Sequence, residues 1–292
     1  MMRTIQSLID EKKAYNRATR NVALEDRIRD VYLRYPDLES LDSKIVQARR
    51  DRLMARFEGQ EVTYNFLEEE GKELLFRRER FIKDNGIDPE FDKEIPTCSK
   101  CGDTGFVKTA AGSKVCTCMK RELEECFTLC GLKDFSTYTE KGLDMSYFDD
   151  KAARTAQRDR LVKLIMHKAP LKDKGLWILS APPQSGKTYL TVCMVKAAIR
   201  LGKSSAYIKA EQLDDLSDRD LEFLKQCEFL AIDDYSGEVT ASAGRAYKLN
   251  EILEVRMSQK AATLVVTPFS REDAISRSDV RIAAKLSGAG TI

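Results

Sequence analysis

Trp177-Ile-Leu-Ser-Ala-Pro-Pro-Gln-Ser-Gly-Lys-Thr188 is the stretch on which the fold turns. Its first residues form a short apolar run of strand type, and a helical pattern follows from Tyr189. Between them, Ala181-Pro-Pro-Gln-Ser-Gly-Lys-Thr188 follows the phosphate-binding spacing G-x-x-x-x-G-K-[ST], with Ala181 in place of the first glycine. Such a loop wraps phosphates with backbone N–H groups and the N-terminus of the next helix. Gly186 permits close approach, Lys187 is placed to reach the β- and γ-phosphates, and the Thr188 hydroxyl is a candidate Mg²⁺ ligand. The candidate nucleotide contacts are Ala181, Pro182, Pro183, Gln184, Ser185, Gly186, Lys187, Thr188 and Tyr189. Alanine suits the first position if its φ is negative.

Working outward, Phe229-Leu-Ala-Ile-Asp233-Asp234 is an apolar strand ending in two carboxylates. Asp233 is the candidate Mg²⁺-shell residue, and Asp234 the candidate general base that polarises an attacking water. Leu176–Ser180, Ser205–Lys209 and Thr263–Thr267 read as further strands, separated by helix-length spacers. That alternation predicts an α/β fold: a P-loop parallel sheet flanked by helices. Thr267, at the end of the strand expected beside the other two, is a candidate for orienting water. Arg281 and Lys285 share one face of a helix. Either they reach the γ-phosphate of a neighbouring subunit, or they are a solvated basic face.

The other half of the chain differs. Residues 1 to about 85 are rich in Arg, Glu, Leu and Ile, with helical spacing at Ile5, Leu8, Ile9 and at Phe66, Leu67, Leu74, Leu75. Pro36 separates two expected helices, and Asp37 and Ser40 suit a helix start. The segment is either a solvated helical hairpin or a dedicated partner-binding module. Cys98-Ser-Lys-Cys101 and Cys116-Thr-Cys118 form two close pairs, a spacing that lets four thiolates surround a structural Zn²⁺. Cys126 and Cys130 are spare ligands or small buried hydrophobes, and Cys193 and Cys227 read as core. The expected domains are a helical region over 1–92, a zinc module with its following helix over 93–135, a connector over 136–155 and the ATPase over 156–292.

Composition narrows the function classes. With 49 Lys+Arg against 47 Asp+Glu, the net charge is only +2, which excludes a basic nucleic-acid coat as a global property. One histidine, His167, excludes multi-histidine metal sites. No apolar run approaches the roughly 20 residues a bilayer requires, and the eight cysteines are expected to stay reduced in the cytoplasm.

Taken together, these residues resemble the bacterial and phage replicative helicase loaders of the DnaC/DnaI type, within the AAA+ ATPases. The resemblance is most specific in Asn85-Gly86-Ile87, in Cys98-Ser-Lys-Cys-Gly-Asp-Thr-Gly-Phe106 and in Cys116-Thr-Cys118-Met-Lys. Leu143-Asp-Met-Ser-Tyr-Phe148 is similar to the family's linker, Ile232-Asp-Asp-Tyr-Ser-Gly237 to its Walker B segment, and Arg256 to a common family arginine. It implies ATP, Mg²⁺ and Zn²⁺ as cofactors. The implied partners are a DnaB-type hexameric helicase bound through the N-terminal region, single-stranded DNA, and further copies of the chain contacting one another through the AAA+ domain. Ala181, the Thr267-Pro268 pair and Lys285 in place of a second arginine depart from the pattern and point to slow ATP hydrolysis. A last strand present in longer relatives is expected to be missing after Lys285. The acidic run from Glu211 to Glu222 is expected to repel DNA phosphates. The alternatives are a non-hydrolysing nucleotide-binding adaptor, and a transposition-helper ATPase of the IstB type, in which the cysteine module is not expected.

Overall fold

The computed structural model describes residues 2–109, 112–139, 142, 175–237 and 243–292. The expected linker at Leu143–Phe148, His167 and most of the 136–155 connector lie outside the described residues. Chain contacts divide the protein into two compact units: Lys13–Asp103, and Met1–Lys12 together with Thr104–Ile292. No helix among the described residues is long and apolar enough to cross a membrane.

The Lys13–Asp103 unit is helical. It takes in most of α1 (Ile5–Arg34), then α2 (Pro36–Phe57) and α3 (Glu61–Asp84). Pro36 does end α1, but it also opens α2 as its first residue, after a Tyr35 cap that donates no side-chain bond. Its fixed φ and missing N–H fit that position, so Asp37 falls inside the first turn rather than capping it. Leu38, Ile82 and Phe91 form one small core, and Ile45, Ala48 and Leu74 another. Arg78 lies over the Phe91 ring and pairs with both Asp42 and Asp92. Burial and the Asp42 carboxylate push the nearby Tyr32 phenol up to about 12. At roughly 1.5–3 kcal/mol per fully buried large side chain, such cores oppose chain entropy by a narrow margin. The helical spacing of Phe66 and Leu75 does not translate into burial, for both are exposed, as are Leu53, Met54, Phe57 and Val62.

The larger unit is built on a parallel sheet in which β3 (Leu176–Ser180), β4 (Ser205–Lys209), β5 (Phe229–Asp233), β6 (Ala262–Thr267) and β7 (Gly290–Thr291) take the order β4-β5-β6-β3-β7; β1 (Phe106–Thr109) and β2 (Gly112–Val115) form a separate hairpin. The four long strands sit where the sequence predicts them. The fifth corrects an expectation: a short closing strand is present, pairing Gly290 with Trp177. Helices cover both faces. On one, α5 (Lys187–Arg200), Ile5 and Ile9 of α1 and the turn after α4 (Lys120–Phe127) pack on Leu179, Tyr207, Phe229, Ala231 and Val266. On the other, α7 (Ala243–Ser258) and α9 (Val280–Ser287), with α6 (Asp218–Gln226) and Ile275 of α8 (Arg271–Ser276), pack on Ile178, Ile208, Leu230, Ile232 and Val265. Residues therefore alternate between two buried faces, which is why the strands read as unbroken apolar runs.

Arg256, which resembles a family arginine in sequence, is buried in the body of this unit. Its guanidinium donates to the carbonyls of Leu224, Cys227 and Ala262 and to Thr263 Oγ1, at 2.6–2.8 Å. It clips the end of α7 to the turn before β5 and the start of β6, and burial lowers its affinity for a proton. Substituting Arg256→Ala removes the guanidinium donor from the carbonyls of Leu224, Cys227 and Ala262, and should cost about 3 kcal/mol or more. Arg256→Lys should recover only part, since an ammonium lacks the planar fork. Urea unfolding of the three proteins checks this; a loss below about 1 kcal/mol in Arg256→Ala would show the clip to be idle.

Candidate nucleotide and metal sites

The P-loop bridges β3 and α5. Gly186 caps α5 at φ 77°, and Gln184 also has a positive φ of 62°. Left-handed residues alternating in such a turn tilt successive N–H groups to one side, forming a concavity that holds anions. Ala181 is not among the described residues with positive φ, so its methyl is no obstacle there. Lys187 is buried, with Nζ 3.5 Å from the Pro182 carbonyl of its own loop. The amine thus turns back over the loop that precedes it, and Thr188 follows in the first turn of α5.

The sheet brings the other candidates to this end. β6 lies between β3 and β5, with Ser180 opposite Thr267 and Ile232 opposite Val265. Ala181 N donates to the Thr267 carbonyl at 3.3 Å, tying the P-loop to β6. Its hydroxyl oxygen accepts Phe269 N at 3.3 Å. Asp233 is fully buried; Oδ1 accepts Asp234 N at 2.8 Å, and Oδ2 accepts the Tyr207 hydroxyl at 2.9 Å. Burial first, and then this carboxylate, push the Tyr207 phenol well above its usual range. Asp234 takes a left-handed φ of 54°, which turns its side chain out toward solvent, 3.9 Å from Lys209 Nζ. Asp234 also lines a cavity of about 160 Å³ with Glu211, Tyr235, Arg245 and Asp279. Of the two candidates, Asp233 is thus the buried carboxylate and Asp234 the exposed one. The donor set of Thr188 and Asp233 is oxygen only, as Mg²⁺ requires.

Other candidates are placed differently. The Tyr189 hydroxyl donates to Thr139 O at 2.6 Å and accepts Thr139 N at 3.0 Å, and its ring stacks on Tyr138. It is held by the chain that precedes the ATPase segment. Arg281 is 64% exposed and near Asp279, whereas Lys285 donates to Asn250 Oδ1 at 2.6 Å. The two share α9, yet Lys285 is held against α7. The acidic run is partly neutralised: Arg245 pairs with Asp214, Lys225 with Glu222 and Glu251, and Lys248 donates to the Asp214 and Leu216 carbonyls. Motif spacing missed Tyr207 and Lys209, since neither belongs to a phosphate-loop or acidic-strand pattern.

The four predicted cysteine ligands come together. The Sγ atoms of Cys98, Cys101, Cys116 and Cys118 all lie within 4.8 Å of one another. Four thiolates at about 2.3 Å from a tetrahedral Zn²⁺ would be about 3.8 Å apart, so the donor set and spacing fit zinc. Asp103 braces the first pair by accepting Thr97 N and Cys98 N, each at 2.8 Å, and Arg20 at 2.9 Å. Burial raises its proton affinity, but those donors outweigh burial and hold the carboxyl below its usual range. In the second pair, Cys116 N donates to Gly105 O at 2.8 Å. Gly105 has φ 80°, and a Cβ there would lie 2.5 Å from Ile9 Cγ2. Cys126 and Cys130 lie outside this group, buried with sulfurs 3.8 Å apart, and read as packing residues. Cys193 and Cys227 are buried too.

No protein-family model matches the chain, and no curated protein matches it. Among solved structures it is similar to DnaI, at 20% identity over 53% of this chain and 86% of that one, TM-score 0.40. It is also similar to the DnaC helicase loader, at 18% identity over 52% of this chain and 98% of that one, TM-score 0.40. AMPPCP-bound DnaA from Aquifex aeolicus shares 12% identity over 54% of this chain and 49% of its own, TM-score 0.42.

Purified protein should carry one zinc per chain by elemental analysis, and Cys98→Ser or Cys116→Ser should lose most of it with a lower Tm. Full zinc content in either variant would exclude the cluster as the site.

Proposed function

We propose that this chain is an AAA+ ATPase of DNA replication that binds a replicative hexameric DnaB-type helicase and helps place it on single-stranded DNA. The observation that carries the nucleotide part is the adjacency of the P-loop, Thr267 and Asp233 at one end of three neighbouring strands. In this reading Lys187 and the loop amides bind the phosphates, and Thr188 and Asp233 hold Mg²⁺, which neutralises charge on the phosphates when bound. Asp234 acts as base, Thr267 orients water, and Arg281 reaches toward a neighbouring copy.

Slow hydrolysis is supported by two details. The Thr267 hydroxyl oxygen already serves Phe269 N, and Lys285 is held on Asn250 rather than extended. The helicase part rests on the sequence resemblance and on the α2–α3 end, where Leu53, Met54, Phe57, Val62 and Phe66 are exposed. Exposed apolar residues in such numbers suit a protein partner. The cysteine cluster favours a loader over a transposition helper. The proposed domains are 1–92 for docking, 93–135 for zinc, 136–155 as connector and 156–292 for the ATPase.

A fluorescent ATP analogue should bind the wild-type chain in the presence of Mg²⁺, and Lys187→Ala should weaken that binding at least about 100-fold. Turnover should stay below about 1 s⁻¹, the floor of ordinary enzymes. Unimpaired binding in Lys187→Ala would overturn the site. For docking, Phe57→Asp with Val62→Asp in the full chain should abolish co-purification with the cognate helicase while leaving nucleotide binding intact. Retained capture would move the docking surface elsewhere.

A further inference from the structure

Asp233 is not oriented by β5 alone. Both carboxylate oxygens are engaged in a fully buried site, Oδ1 by Asp234 N and Oδ2 by the Tyr207 hydroxyl. Tyr207 is itself held in place. Its ring meets the edge of Phe135 at 5.2 Å between centroids and 75° between planes. A Cβ at Gly131 would lie 2.0 Å from the Tyr207 carbonyl oxygen, so the turn at residue 131 is seated directly on the main chain of β4. Lys196 of α5 fastens the same segment by donating to the carbonyls of Phe135 and Tyr138. A continuous set of contacts therefore runs from the turn after α4 through Phe135 and Tyr207 to Asp233.

We infer that Tyr207 is a positioning residue for Asp233, and that Phe135 sets Tyr207. The inference rests on the reading of Asp233 as a Mg²⁺ ligand. A carboxylate oxygen that accepts one hydrogen bond keeps a lone pair for a second partner. The phenol thus fixes the plane of the carboxylate without occupying it. Losing such a supporting partner typically weakens metal binding by roughly 10- to 100-fold. The segment that follows the cysteine module thereby acts on the metal-binding geometry without touching metal or nucleotide.

The test titrates Mg²⁺ into the full-length chain with a fluorescent ATP analogue, and reads the Mg²⁺ midpoint and the affinity in EDTA. Tyr207→Phe should raise the midpoint by roughly 10- to 100-fold, with the EDTA affinity unchanged. Phe135→Leu keeps the hydroxyl and should shift the midpoint in the same direction by less. A wild-type midpoint in Tyr207→Phe, with Asp233→Asn displaced, overturns the inference and leaves the site reading standing. A wild-type midpoint in Phe135→Leu alone removes the role of Phe135. A wild-type midpoint in Asp233→Asn, or no Mg²⁺ dependence in the wild type, overturns the site reading and this inference together.

Discussion

The register of three neighbouring parallel strands is the constraint on which the candidate nucleotide site depends. β3 supplies the P-loop, β5 supplies Asp233, and β6 lies between them with Thr267 opposite Ser180. Along β5, Phe229 and Ala231 face α5, and Leu230 and Ile232 face α7. Asp233 continues the first of these sets, on the same side as Tyr207. A slip of one residue would send its carboxylate to the opposite face and bring an apolar side chain to its place beside Tyr207. Burial of both faces is what forbids the slip, so the packing that stabilises the sheet also aligns its polar ends.

The sheet was legible in the sequence because a doubly buried strand is a run of apolar residues and little else imitates it at that spacing. Leu176–Ser180, Ser205–Lys209 and Phe229–Asp233 have the boundaries the sequence predicts. The β7 strand was not legible, because two residues, one of them a glycine, carry no periodicity. The N-terminal region was legible as helical with a break at Pro36, but neither the second break before Glu61 nor what the helices bury was legible. Phe66 and Leu75 keep helical spacing but face solvent, since few elements are there to cover them. Periodicity reports what a helix offers, whereas burial depends on what lies opposite.

The candidate site shows a similar division. Loop glycine, lysine and threonine, the paired aspartates and the paired cysteines are read directly, because their chemistry fixes local spacing. Tyr207 lies 26 positions before Asp233 and meets it only through the pairing of β4 with β5. Arg256 shows the converse. An arginine at the end of a helix invites a role at a surface, but its carbonyl partners come from two separate segments that only the fold assembles. Lys285, likewise, shares a helical face with Arg281 and is nonetheless held by Asn250 of another helix.

The seating of Gly131 on β4 bears on how this sequence can drift. With φ 88° and no room for even a methyl group, the position excludes every other residue for two separate reasons. The exposed apolar residues of α2 and α3 carry no such restriction from their own fold. Lineages of this chain are therefore free to change those exposed side chains without loss of packing. The turn at residue 131, which belongs to no nucleotide motif, should remain as fixed as the phosphate loop.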